Sequence, residues 1–183
     1  MYDGSHTILF TDGSTAVNRT TGMTELIGAN TWDTWHLIPT KRPSVAPPEP
    51  VIKKVQIPGR NGQLDFSTYL TGKTVYGERT GSWEFVVDND HEDWTTIRDK
   101  MAEYLHGKRM SCVLNDDPNY LYTGRFTVSN WDSGANNSRI SISYVLYPYK
   151  VNWRAADMAS ANWLWDPFNF EMDTIGQADT SRI

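Results

Sequence analysis

The stretch "GSWEFVVDNDHEDWTTIRDKMAEYLHGKR", residues 81–109, changes its hydrophobic period part-way along. Up to Val87 the apolar side chains Trp83, Phe85 and Val87 alternate with Glu84 and its neighbours, the two-residue repeat of a strand with one buried face. From Trp94 the repeat lengthens. Trp94, Ile97, Met101, Tyr104 and Leu105 recur at three-and-four spacing, with Arg98, Asp99, Lys100 and Glu103 around the remaining surface. A strand running into a single amphipathic helix, near 91–106, is predicted. Asn89 or Asp90 is expected as its N-cap with acids in the first turn, and His106, Gly107, Lys108 and Arg109 suit the far end of the macrodipole.

Downstream of the helix, "MSCVL", "YLYTGRFTVSNW" and "SRISISYVLYPY" keep the two-residue period and predict an antiparallel meander. Tyr120, Tyr122, Phe126 and Val128 share one face of the second run. Ile140, Ile142, Tyr144 and Leu146 share one face of the third, opposite Arg139, Ser141 and Ser143. The link between the first two runs contains Asp116, Asp117 and Pro118. Adjacent carboxylates can form an acid pair or part of a cation site, but either needs further groups that the local sequence does not name. A hairpin bend explains all three residues, because Asp bonds its own backbone in turns and Pro fixes φ.

Upstream, "VIKKVQI" predicts a further strand ending at the tight turn "PGRNG". Four prolines at 43, 47, 48 and 50 exclude helix there and predict an extended linker. Residues 1–31, rich in Gly, Thr and Asn, read as an irregular N-terminal arm with "TILF" as a short strand. Residues 151–183 hold neither period, and their Trp163, Trp165, Phe168 and Phe170 are too apolar to be left in water. The expected architecture is mainly β of the α+β kind: a β-domain over 32–150 with one packed helix, an N-terminal arm, and a C-terminal extension.

Composition narrows the function. A chain of 183 residues holds one good core, and a formal charge of −5 offers no electrostatic grip on a phosphate backbone. Cys112 stands alone in an apolar run, so neither a disulfide nor a structural zinc ligand set is expected. No apolar run approaches the ~20 residues of a membrane span, and the start of the chain lacks a basic, apolar leader. "DNDHED", residues 88–93, superficially resembles a calcium loop, but Asp93 stands where such a loop has glycine and Asp99 where it has glutamate. His6, His36, His91 and His106 are scattered, no nucleophile motif occurs, and the glycines near Lys73 and Arg79 lack phosphate-loop spacing. No catalytic residue, metal or cofactor is expected. The surplus is aromatic, 8 Trp, 9 Tyr and 6 Phe, which suits either contacts between subunits or stacking on sugars.

Eight segments in order, "YDGSHTILFTDGSTA", "GMTELIGANTWDTWHLIPTKRPSVAPPEP", "IPGRNGQLDFSTYLTG", "YGERTGSWEF", "YLHGKRM", "LNDDPNYLYTGRFTV", "ISYVLYPYK" and "WLWDPFNFE", resemble the distal tail protein of long-tailed phages and prophages of Gram-positive bacteria. The resemblance spans nearly the whole chain. It implies a tail-tube-like β-sandwich flanked by a helix, and a virion protein forming a homo-hexameric ring at the tail tip. Such a ring joins the tail tube protein above to the tail-tip hub or tail-associated protein below, near the tape measure protein, after assembly in the host cytoplasm. DNA passes through its bore without specific binding, and an acidic lining would repel phosphate. No membrane contact is implied.

In such an assembly the N-terminal arm and the Pro-rich segment are expected to lie over an adjacent subunit, and removal of the first 30 residues should spare the domain's secondary structure. Trp32, Trp35, Trp163, Trp165 and Phe168 are the expected interface anchors. A host-glycan-binding module at the tail tip is the alternative function, with cell-wall hydrolysis a third.

Overall fold

The structure, a computed structural model, describes residues 4–20, 24–69, 71–88, 93–133 and 138–153. In chain order the strands before the helix are β1 (Ile8–Thr11), β2 (Thr15–Val17), β3 (Thr24–Leu26), β4 (Ala29–Asn30), β5 (Leu37–Pro39), β6 (Lys54–Gln56), β7 (Gln63–Asp65) and β8 (Arg79–Val87). Helix α1 (Trp94–Leu105) is followed by β9 (Arg109–Leu114), β10 (Asp117–Ser133), β11 (Ser138–Leu146) and β12 (Val151–Asn152). One antiparallel sheet runs β4-β1-β9-β10-β11-β8-β5, with β12 paired to the start of β10. The pairs β2–β3 and β6–β7 stand outside it.

Alternation works as the sequence predicts. Trp83, Phe85 and Val87 are buried on β8, Tyr122 and Phe126 on β10, and Ile140, Ile142, Tyr144 and Leu146 on β11. The two layers of the expected sandwich are halves of one sheet. Phe10 on β1 and Trp83 on β8 lie four strands apart in the order, about 19 Å at ~4.8 Å per strand if the sheet were flat, yet their ring centroids are 6.4 Å apart. The sheet therefore curls back on itself, helped by a bulge between Ser129 and Trp131 where β10 meets β11.

Phe126 sits inside the curl, edge-on to Phe10 at 5.1 Å and stacked on Trp83 at 6.3 Å. Helix α1 closes the open side with Ile97, Met101 and Leu105. Tyr104 packs on Trp35 at 5.6 Å and its hydroxyl donates to the Phe10 carbonyl. Cys112 is wholly buried, and burial alone pushes its thiol pKa up, as expected for an inert core thiol.

The helix ends differ from expectation. Asp93 is the N-cap, its carboxylate takes the Thr95 hydroxyl rather than a backbone N–H, and the first turn carries no acid; Asn89 and Asp90 lie outside the described residues. At the other end Gly107 takes φ +73°, and Lys108 Nζ donates to the Glu103 carbonyl at 2.6 Å, satisfying one of the acceptors left free there.

The N-terminal arm is the larger correction. β1 is an interior strand between β4 and β9, with Ile8 and Phe10 fully buried, and Ala29 and Thr31 are buried beside it. Thr31 Oγ1 accepts the Ile8 N–H. A segment of four apolar-rich residues suffices because its partner β9 supplies the rest of the ladder from a hundred residues away.

Candidate interaction surface

The prolines of residues 43–50 keep their backbone extended and lead away from β5. This strap lies on its own domain, contrary to the expectation that it crosses to a neighbour. Trp83 Nε1 donates to the Ser44 carbonyl at 2.9 Å, Tyr144 Oη donates to the same oxygen at 3.4 Å, and Arg79 Nη1 donates to the Ala46 carbonyl at 3.0 Å. Arg79 also donates through Nε to the Pro148 carbonyl at 2.8 Å. Arg79 is 4% exposed, and burial holds its pKa below the ordinary arginine value. Carbonyls serve it in place of a carboxylate, so strap, β8 and the segment after β11 are tied at one point.

Beyond the strap, residues 49–77 fold into a two-stranded excursion. Gly77 donates to the Glu49 carbonyl, Val51 to that of Val75, and Phe66 to that of Lys53, with β6 and β7 paired between them. The expected strand and turn are present here. Burial is not: Ile52 is 60% exposed and Tyr69 77%, and Val51, Val55, Ile57, Phe66 and Val75 are exposed as well. An isolated two-stranded hairpin is marginal in water, so an apolar surface of this kind on one needs a cover. Lys53, Lys54, Arg60 and Lys73 outnumber Glu49 and Asp65, making the excursion net basic on a chain of −5.

The acid pair at the β9–β10 link resolves as a hairpin bend with structural ion pairs. Asn115 and Asp116 form the turn between Leu114 and Asp117, which pair across it. Asp116 takes the Arg42 Nε–H at 2.8 Å and the His6 Nδ1–H at 2.9 Å, and chiefly the Arg42 bond holds its pKa below the ordinary value. Asp117 accepts from Tyr122 Oη at 2.8 Å and Lys150 Nζ at 3.0 Å, while Lys150 lies 3.6 Å above the Tyr120 ring. Burial first, and then the Asp117 bond, push the Tyr122 phenol pKa up. Both carboxylates therefore pin chain crossings, and no cluster of three or more His, Cys, Asp or Glu able to hold a metal occurs among the described residues.

The expected anchors separate. Trp35 is 2% exposed, wedged between Phe10 at 6.0 Å and Tyr104, so its indole belongs to the core and is not available to a partner. Trp32 is partly exposed, edge-on to His36 at 5.7 Å. Trp163, Trp165 and Phe168 lie outside the described residues. The exposed apolar residues of 51–75 were not among the expected anchors; the imperfect alternation of "VIKKVQI" was the available sign of their exposure, since apolar residues on both faces of a short two-stranded ribbon cannot all be covered by it.

No family model matches the chain, and no curated protein matches it. Among solved structures, the SPP1 Dit protein (gp 19.1), described as a paradigm of the hub adsorption apparatus in phages infecting Gram-positive bacteria, is similar at a TM-score of 0.56 and 14% identity. The match covers 79% of this chain and 51% of the SPP1 protein, so this chain spans about half of that protein's length. The curled sheet flanked by α1 is thus a fold that this chain shares with a phage Dit protein.

Proposed function

We propose that this chain is a structural, non-enzymatic protein of a phage tail tip, the subunit of a homo-hexameric ring that joins the tail tube to the tail-tip hub or baseplate of a siphovirus-like virion. The observation that carries the reading is the 49–77 excursion, net basic and apolar, held out from an acidic domain whose fold is that of a Dit protein. An arm of that chemistry is complementary to the acid-rich surface of another copy. Laying it on the next subunit gives a heterologous contact, which closes into a ring when the rotation per subunit divides a full turn. Trp32, with Trp163, Trp165 and Phe168, serves as a further anchor. The tube protein, the hub or tail-associated protein and the tape measure protein are the neighbours, and DNA crosses the bore without specific binding. No helix among the described residues is long and apolar enough to cross a membrane.

Native mass spectrometry of the purified chain, followed by cryo-EM, tests this. Six-subunit rings with the excursion of each copy on its neighbour are expected. A monomer at all concentrations would overturn the reading, and a monomer that binds host glycans on an array would replace it with the glycan-binding alternative.

A further inference from the structure

On the outer face of the sheet, Arg109 of β9 stands directly across from Arg125 of β10. Like charges at opposed positions destabilise a sheet unless something of opposite sign lies between them. The acid that shares their surroundings, Glu78, forms an ion pair with neither. Arg125 Nη1 donates to the Gly107 carbonyl at 2.8 Å, the Arg109 guanidinium sits 5.2 Å from the centre of the Tyr147 ring, and neither forms an ion pair there. The two line a shallow cleft of about 170 Å³ with Glu78, Gly124, Val145 and Tyr147. At its edge β10 and β11 approach closely because residue 124 is glycine: a Cβ there would run into the Val145 carbonyl and lie 2.7 Å from the Leu146 Cα.

We infer that this cleft receives an acidic side chain from a neighbouring copy of the chain, held between the Arg109 and Arg125 guanidiniums. The inference rests on the ring reading above and assigns it a charged contact. Three observations select that occupant. Val145 and Tyr147, 42% and 46% exposed, give the cleft an apolar side that suits the methylenes of a Glu or Asp side chain, and Arg and Tyr are both enriched at protein interfaces. Glu78 in the lining disfavours a doubly charged phosphate more than a singly charged carboxylate. The cleft also adjoins the root of the excursion: Glu78 follows Gly77, which bonds Glu49, and Tyr149, 41% exposed, meets Tyr76 at 6.4 Å. A copy seated on the excursion therefore passes beside it, and the 22 acids against 17 bases of each copy supply the carboxylate.

The test uses the full chain. Assembly of wild type, Arg109→Ala and Arg109→Ala/Arg125→Ala is followed by sedimentation velocity against concentration and salt. Arg109→Ala gives up no hydrogen bond, so it should leave the thermal midpoint of the subunit unchanged or raise it, while weakening assembly about tenfold and flattening its salt dependence. A photo-crosslinking residue at Val145, in an equal mixture of isotope-labelled and unlabelled chains, should join the cleft to an Asp- or Glu-bearing peptide of the other copy. Wild-type assembly with equal assembly constants and equal salt slopes for the variants, or crosslinks confined to one copy, would overturn the cleft contact and leave the ring reading standing. A wild type that never assembles would overturn the ring reading itself.

Discussion

The curled sheet and the 49–77 excursion are built from the same residue types and treat them in opposite ways. In the sheet Phe10, Trp83, Phe126 and Ile142 are at or near zero exposure, and helix α1 seals the side where the curl stays open. In the excursion Ile52, Val55, Phe66 and Tyr69 meet water. Both have hydrogen-bonded strands. A strand pair organises apolar side chains, then, but only a second layer buries them; the sheet makes its own second layer by bending, whereas two strands are too few to bend around anything.

That contrast can be broken from either side. Phe126→Ala, at the centre of the curl, should cost about 3–5 kcal/mol in urea unfolding, because its contacts with Phe10 and Trp83 leave a cavity that neither half of the sheet can fill. Deleting the first 30 residues should prove comparably damaging, with loss of the cooperative transition, since it removes Phe10 and the β1 partner of β9. From the residue pattern alone, that truncation is expected to spare the domain's secondary structure. Arg79→Ala should cost about 2 kcal/mol by releasing the carbonyls of Ala46 and Pro148, and should loosen the strap that positions the excursion.

Substitutions on the excursion sharpen the comparison by their smallness. Ile52→Ser with Tyr69→Ser should shift subunit stability by no more than ~0.5 kcal/mol, the scale of exposed sites, while reducing assembly several-fold in the same samples. A cost of several kcal/mol would mean that the excursion is packed in the free subunit.

The smallest effect concerns acid. The pKa of Asp116 is lowered in the fold, so the stability it contributes is complete above its ordinary value of 3.8 and is lost as pH falls through the lowered one. Asp116→Asn should shallow the acid limb of a stability-versus-pH curve below about pH 4 and leave the neutral region nearly flat.

Legibility followed the range of the interactions. The alternation of Trp83, Phe85 and Val87, the helical spacing of Ile97, Met101 and Leu105, and the bend at Asp116 and Asp117 were all readable because each depends on neighbours within a few residues. The helix N-cap was misplaced because several acids of residues 88–93 compete as caps and only the backbone path chooses among them. Trp35 was assigned to an interface because a Trp in a Gly- and Thr-rich context carries no local sign of the Phe10 and Tyr104 rings that enclose it. The Arg109–Arg125 opposition was invisible for a like reason: it exists only through the register of β9 on β10.

By itself, then, the order of residues determined the periods, the turns, helix α1 and the acidic balance of this protein, all properties summed over short stretches of chain. The tertiary structure alone decided that Ile8–Thr11 is an interior strand, that a single sheet supplies both layers, and that residues 49–77 stand uncovered. Those outcomes depend on pairings between segments up to a hundred residues apart, where the free energy lies in which surfaces meet, and a local pattern holds no record of its distant partner.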